Sequence, residues 1–350
     1  MQALALPGFH TWSQWQPDRG MFFSSFLWVR EGGNVAFDPL PLTEDDAQAI
    51  EGLGGVSTIL LTNRDHERGA AAMRERFGAR IFSSRLEAEL FELKVDGVFD
   101  RVALPGLRAI PLEGAKTPGE VAFLTDDLTV AIAGDAILGT PAGALSFLPD
   151  AKLGDPLALA LSLRRLWTPR LRTLLLGDGA SLYAGAEDAL AALIEARGGP
   201  AVNRVNVDEL EYEFTDGVDG KYASHDAEIG WHIGGRHLGY QMVRLPAGAR
   251  FCPMHAHDRE EELFYVIEGH PTVRTLRGDL RLRPGDFMAF PVGDRGTHQL
   301  ANESDVDALV LLLGEDHEDE TVYYPDSRKV LAGRRRWIMR EDHLDYFDGE

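Results

Sequence analysis

Cysteine is nearly absent from this chain: Cys252 is the single one among 350 residues. One thiol excludes an intrachain disulfide framework and a zinc site built from cysteines. No run of about 18 apolar residues occurs, which argues against a membrane-spanning helix. Positive charge is scarce as well. Lys and Arg number 35 against 56 Asp and Glu, for a formal net charge of −21. A field of that sign repels phosphate backbones and anionic lipid, so neither nucleic acid nor a membrane is expected as a partner. Arg334, Arg335 and Arg336 form the local exception. Three arginines among acidic neighbours read more simply as a solvated face than as an anion site. The first ten residues place no basic region ahead of a long apolar run. They do not read as a signal peptide, and a cytoplasmic location is expected.

A hydrophobic fraction of 44% and a charged fraction of 26% are those of a globular chain. The length calls for two domains. Histidine shows where they divide. Only His10 and His66 precede Gly199, and nine histidines follow it. An apolar-periodic run over residues 186–196 ends in Arg197, Gly198, Gly199 and Pro200, where glycines stop a helix and proline cannot continue it. The expected domains are therefore 1–199 and 200–350, with a polar, linker-like stretch over 201–214.

The N-terminal half alternates short apolar runs with helical ones. Residues 56–62, 79–82 and 172–176 read as strands, and 121–125 with 128–133 as two hairpin-like strands. Residues 67–77, 84–93, 157–167 and 182–196 read as helices, with Asp155 and Pro156 as N-cap and first helical residue of the third. The pattern is α/β and layered. Four loop motifs follow these strands: LTNRDH over 61–66, KTPG over 116–119, Gly134-Asp135, and Gly177-Asp178-Gly179. In order and context they resemble the metallo-β-lactamase fold family, over about 190 residues. That family carries HxHxDH, a histidine before TPG, a bridging aspartate in a Gly-Asp pair, and a late Gly-His-Gly. The resemblance implies an αββα sandwich. The liganding chemistry departs from it. The first motif keeps Asp65 and His66, with Asn63 in a ligand-like place. Lys116 stands for one histidine and Asp178 for another. A dinuclear zinc site needs several neutral imidazoles. Asp65, Asp135 and Asp178 together without a cation repel each other, and Lys116 supplies positive charge. The expectation is that Lys116 replaces the metals and this half is silent as a hydrolase. A surviving mononuclear site on Asp65, His66, Asp135 and Asp178 is the alternative.

The C-terminal half, from about residue 212 to 313, consists of short alternating runs with turn signals every 8–12 residues, the pattern of an all-β sandwich or barrel. Two stretches carry chemistry. In GARFCPMHAHDREEELFYVIEG, residues 248–269, His255 and His257 stand two apart and share one face of a strand. If the next strand pairs antiparallel with that one, Glu262 at its start reaches the same point, with Glu260 and Glu261 as alternative carboxylates. In GDFMAFPVGDRGTHQLAN, residues 285–302, His298 opens a strand after a Pro/Gly turn. The two stretches resemble the cupin motifs G(x)5HxH(x)3–4E(x)6G and G(x)5PxG(x)2H(x)3N, over roughly 100 residues. Gly248 lies one residue further from His255 than the pattern has it, and four residues rather than two separate Gly293 from His298. The resemblance implies a double-stranded β-helix with one divalent transition metal on His255, His257, Glu262 and His298. Such a ligand set suits Fe, Mn, Ni, Zn or Cu, and the sequence does not choose among them. It also implies pairing of barrels into a homodimer.

Other residues are weighed against simpler roles. Cys252 reads as a buried thiol, and His232 and His237 as turn or surface histidines. Tyr240, Met242, Phe264, Val266, Met288 and Phe290 read as core, some of them lining the cavity. Arg244 and Gln299 are candidates for a substrate carboxylate. The acidic run 315–320 reads as a solvated loop, and the aromatic tail from Tyr323 to Glu350 as a segment docked on a domain surface. The functional expectation is a metal-dependent enzyme of dioxygenase or isomerase/lyase type on a small polar substrate, with Glu262 also able to act as a base. A non-catalytic ligand- or metal-binding module is the alternative, and a hydrolase built on the N-terminal half a third reading.

Overall fold

The computed structural model describes residues 1–340, apart from 100, 101, 201, 211, 218–220, 236, 318 and 334–336. The arginine cluster 334–336 and the end of the tail, 341–350, lie outside the described residues. The chain divides into two units, Met1–Val202 and Asn203–Glu350.

The first unit holds two sheets. One has seven strands in sequential order: Gln2–Ala3, Phe9–Gln16, Met21–Trp28, Val35–Phe37, Thr58–Leu60, Arg80–Ser84 and Gly97–Phe99. The other has five, in the order Thr173–Leu176, Val130–Ala133, Val121–Thr125, Leu107–Pro111 and Val102–Leu104. Side chains alternate across each strand. Phe26, Phe37 and Leu60 of the first sheet meet Phe123, Ile132 and Leu175 of the second in one core between the sheets. The residues beside them, Leu27, Ala36, Ile59 and Ile81, face outward onto helices Glu44–Gly52 (α1) and Ala70–Phe77 (α2), through Ile50 and Met73. On the far side Ala122, Leu124, Leu174 and Leu176 face helices Pro156–Ser162 (α3) and Ala186–Gly198 (α4), through Leu159, Leu190 and Ile194. Strands buried on both faces read as continuous apolar runs, which is why TLLL and VAIA are so legible. The result is the expected αββα sandwich.

Asp155 caps α3 as expected, accepting from the N–H groups of Leu157 and Ala158 at 2.9 and 3.0 Å. Residues 84–93 correct the sequence reading. They form turns rather than a helix. Glu87 explains this: its carboxylate is buried and accepts from Arg64 N–H at 2.7 Å and from Gly119 N–H at 2.9 Å. Tertiary anchoring of that side chain overrides helical propensity. The strands before residue 56 escaped the sequence reading.

The second unit is built from antiparallel strands. A six-stranded sheet runs Glu213–Asp216, Ala223–Glu228, Leu238–Leu245, Ala308–Glu315, Glu262–Glu268, Phe287–Phe290. Ala308–Glu315 lies between two strands remote from it in sequence, as a rolled β architecture requires. A three-stranded sheet runs Gly278–Arg281, Thr272–Thr275, His298–Ala301, and a four-stranded one Ala256–His257, Thr321–Tyr324, Lys329–Ala332, Trp337–Arg340. Val243, Phe264, Val266, Phe290 and Val310 of the large sheet pack against Val273 and Leu300 of the three-stranded one. Met242, read as core, is buried in a second cluster with Ala227 and Leu309. Two further expectations change. The linker-like stretch supplies the strand Glu213–Asp216. The tail up to Arg340 does more than dock, since Thr321–Tyr324 pairs with the strand that bears His257.

Among the described residues no helix is long and apolar enough to cross a membrane.

Candidate functional site

In the second unit the histidine and glutamate side chains meet from three different sheets. His255 precedes the two-residue strand Ala256–His257. It forms an antiparallel bridge with His298, each N–H donating to the other's carbonyl at 3.0 and 2.9 Å. His298 opens its strand after the 3₁₀ turn Asp294–Gly296, which Gly293 enters at φ 76°. Glu262 opens Glu262–Glu268. That strand does not pair with the one bearing His257, so the antiparallel route considered from the sequence is not the one the chain takes. Its partners are Phe287–Phe290 and Ala308–Glu315. The carboxylate reaches the histidines from the other wall of the core rather than from a neighbouring strand. The same strand ends at Gly269, φ 79°, where an added Cβ would stand 2.6 Å from the Asp307 carbonyl oxygen. Asn302 is structural, donating to the carbonyls of Leu245 and Val306.

Glu262 Oε2 lies 3.1 Å from His298 Nε2, 3.3 Å from His257 Nε2 and 3.8 Å from His255 Nε2. Three of these atoms, His257 Nε2, His298 Nε2 and Glu262 Oε2, are buried with no hydrogen-bond partner. The opposite nitrogens are all engaged. His255 Nδ1 donates to the Pro253 carbonyl at 3.0 Å and His298 Nδ1 to the Gly296 carbonyl at 2.8 Å, while His257 Nδ1 faces Glu320 Oε1 at 3.2 Å. A carbonyl oxygen only accepts, so those Nδ1 atoms carry protons and the Nε2 atoms are the ones turned inward. The ring of His298, fully buried, stacks on Phe290 with centroids 3.8 Å apart and meets Phe264 edge-on at 5.1 Å.

Burial raises the Glu262 carboxyl, but the three imidazoles outweigh it and hold the group far below the usual carboxylate range. Burial lowers His255, and Cys252 with Glu262 outweighs it, lifting the ring to about 10. His257 is lifted to about 9, where burial is outweighed by Glu260 and Glu262. Burial keeps His298 below its ordinary value. Ligands about 2.1 Å from one ion and roughly 90–110° apart sit about 3.0–3.4 Å from each other. The two shorter contacts lie in that range. His255, Glu262 and His298 form one of three groups among the described residues whose ligand atoms lie close enough together to hold a metal ion, and His257 falls in another, with Glu260 and Glu320.

The remaining candidates fall elsewhere. Gln299 is buried and donates to the Cys252 carbonyl at 2.7 Å, so its amide is already engaged. Arg244 sits opposite His225 in the large sheet. His232 lies in the turn Trp231–Ile233 and His237 just before Leu238–Leu245. Cys252 Sγ approaches His255 Nδ1 at 3.6 Å. Glu260 lies at His257 Nδ1, 3.5 Å away, and Glu261 donates its N–H to Glu315.

The first unit gathers His66, Asp135 and Asp178 within metal-ligand reach. Side-chain cations already engage His66 Nε2, Asp135 Oδ2 and Asp178 Oδ1. Lys116 Nζ bridges Asp65 Oδ2 at 2.6 Å and Asp135 Oδ2 at 2.8 Å. Arg68, which sequence reasoning missed, donates from Nη2 to Asp178 Oδ1 at 2.6 Å and to His66 Nε2 at 2.9 Å. His66 Nδ1 donates to Asp38 Oδ2 at 2.8 Å, and Asp38 is fixed by Thr62 N–H and Oγ1–H. Asn63 caps the turn Arg64–His66, accepting from Asp65 N–H at 2.9 Å. Gly134 leaves room for this cluster, because a Cβ there would stand 2.3 Å from Thr62 Oγ1 and 3.1 Å from the His66 ring. Burial lowers Lys116, and Asp135 with Asp65 outweighs it, so its ammonium is held above the ordinary range. Asp38 had one faint signal, an aspartate ending a buried apolar run. Arg68 had none, since an arginine two residues past a histidine is commonplace.

Comparison with known proteins follows the same division. No curated protein matches the chain. A metallo-beta-lactamase from Pontibacter korlensis is 17% identical, with 55% of this chain and 97% of that one covered and a TM-score of 0.46. One from Erythrobacter litoralis, with beta mercaptoethanol in its active site, is 18% identical, with 55% and 95% covered and a TM-score of 0.46. A sugar phosphate isomerase of the cupin superfamily from Silicibacter pomeroyi is 27% identical, with 41% of this chain and 97% of that one covered and a TM-score of 0.37. Family profiles match the metallo-beta-lactamase superfamily at residues 1–197 and the cupin domain at 241–314. The chain thus belongs to the metallo-beta-lactamase superfamily through its first unit, and its second unit carries a cupin domain.

Proposed function

We propose that the second unit is a mononuclear metal centre on His255, His257, Glu262 and His298, and that it serves an enzyme of dioxygenase or isomerase/lyase type acting on a small polar substrate. One observation carries the reading: His257 Nε2, His298 Nε2 and Glu262 Oε2 are buried side by side, and none of the three has a hydrogen-bond partner. Only a proton or a cation satisfies such a set. Three imidazoles and one carboxylate suit Fe, Mn, Ni, Zn or Cu. When bound, the ion supplies Lewis-acid polarisation of a substrate oxygen at its open coordination positions.

The chain's own residues supply the rest. The carbonyls of Pro253 and Gly296 fix two rings in the Nδ1–H form, ready to ligate through Nε2. Phe264 and Phe290 hold the His298 ring in place and exclude water behind it. Glu262 serves as a ligand, and it is also the one member of the set able to accept a proton as a base.

The same reading makes the first unit metal-free. Lys116 and Arg68 stand where ions would, each joined to the side chains an ion would need. The test is His298→Ala. The account expects loss of bound metal and of turnover together. Retained turnover in a metal-free His298→Ala protein contradicts it.

A further inference from the structure

We propose that Glu320 is a positioning residue for the metal centre, its carboxylate holding His257 with Nε2 turned toward Glu262. The inference rests on the metal-binding reading above. Glu320 ends the acidic run 315–320, whose composition reads as a solvated loop, yet it is 8% exposed. Its Oε1 accepts from Asp258 N–H at 2.9 Å and lies 3.2 Å from His257 Nδ1, while Oε2 accepts from Arg259 N–H at 3.0 Å. Two backbone donors pin the carboxylate, so its place does not depend on the histidine it faces.

The surrounding strands reinforce the arrangement. Glu320 directly precedes Thr321–Tyr324, where Val322 pairs with His257 and Tyr323 with Ala256. Asp258 N–H also donates to the Thr321 carbonyl at 3.0 Å. Strand pairing therefore delivers the carboxylate to Nδ1 of one ring. His255 and His298 present Nδ1 to neutral carbonyls, and His257 presents it to an anion. A carboxylate behind a ligating imidazole fixes the ring and raises its basicity. Glu260 Oε2 is the other acceptor near Nδ1, at 3.5 Å, and its Oε1 is engaged with His317 N–H at 2.7 Å. The shorter contact and the doubly anchored carboxylate single out Glu320.

The test is competition of Zn(II) between the full-length protein and a chromophoric chelator. The proteins are wild type, Glu320→Ala, Glu320→Gln, Glu260→Ala, His257→Ala and the His257→Ala/Glu320→Ala double variant. Glu320→Ala weakens Zn(II) binding about 10- to 100-fold, and Glu320→Gln, which keeps an oxygen for Nδ1, by less. In the His257→Ala background the second change costs under about threefold, because the ring it acts through is gone. An equal loss in both backgrounds means that Glu320 only holds the backbone of residues 258 and 259, and overturns the inference. So does a Glu260→Ala loss larger than that of Glu320→Ala. Wild-type binding with an unaffected Glu320→Ala overturns this inference alone, whereas a wild type that takes up no Zn(II) overturns the metal reading as well.

Discussion

Each histidine of the cupin centre gives one nitrogen to the protein and turns the other inward. That division is what the proposed metal centre asks of its imidazoles. In the first unit the same residue types are arranged to the opposite end. His66 has both nitrogens engaged, and three aspartates are met by two side-chain cations. Lys116→Ala leaves Asp65 and Asp135 without their ammonium. With the lysine about one third exposed, solvent screening limits the loss to about 1–3 kcal/mol, read as a shift in the urea midpoint. An unchanged midpoint contradicts the bridging role.

Glu120 offers a second test at this scale. Burial, then the nearby Asp135, pushes its carboxyl up from 4.5 to about 8. Its Oε1 accepts from Ala136 N–H, and its Oε2 has no partner. The folded chain thus binds a proton there that the unfolded chain releases above 4.5. The stabilisation is complete below that value and is lost as pH rises through about 8, by an amount of order 5 kcal/mol. Glu120→Gln should flatten stability against pH between 5 and 9 in denaturant melts. A variant with the same slope as wild type contradicts the assignment. None of this was legible from sequence, because Glu120 looks like any glutamate beside an apolar strand until Asp135 is folded against it.

At the scale of elements, what repeats locally was readable and what depends on remote contacts was not. Asp155 followed by Pro156 announces a helix start, and the carboxylate caps it. Asp155→Ala should cost about 0.5–2 kcal/mol in equilibrium unfolding, and no loss would mean the cap is idle. Buried runs such as VAFLT declare strands for the same local reason. Residues 84–93 carry helical spacing, yet Glu87 is drawn into hydrogen bonds with Arg64 and Gly119, and the segment folds as turns. The spacing of His255 and His257 showed two side chains on one face. It did not show that Glu262 arrives from a different sheet, since strand order is set by long-range pairing. Glu320 was lost inside an acidic run for a related reason: only the pairing of Thr321–Tyr324 with Ala256–His257 brings it to the ring.

Across the whole molecule, one unit sets Lys116 and Arg68 among its histidine and aspartates, and the other leaves His257 Nε2, His298 Nε2 and Glu262 Oε2 without hydrogen-bond partners. The first keeps the αββα frame, and Phe37, Phe99 and Phe123 cluster at its centre with ring centroids 5.5 Å apart. The second keeps both the rolled β frame and the inward-facing donor set. The central claim is that the chain holds one metal ion, and in the second unit. The most direct measurement is elemental analysis of full-length protein purified without chelators, as wild type, as Asp135→Ala and as His298→Ala, with circular dichroism confirming that each is folded. The account predicts close to one transition-metal ion per chain in wild type and Asp135→Ala, and close to none in His298→Ala. Two ions per chain, none in wild type, or metal lost with Asp135 and kept without His298 would contradict it.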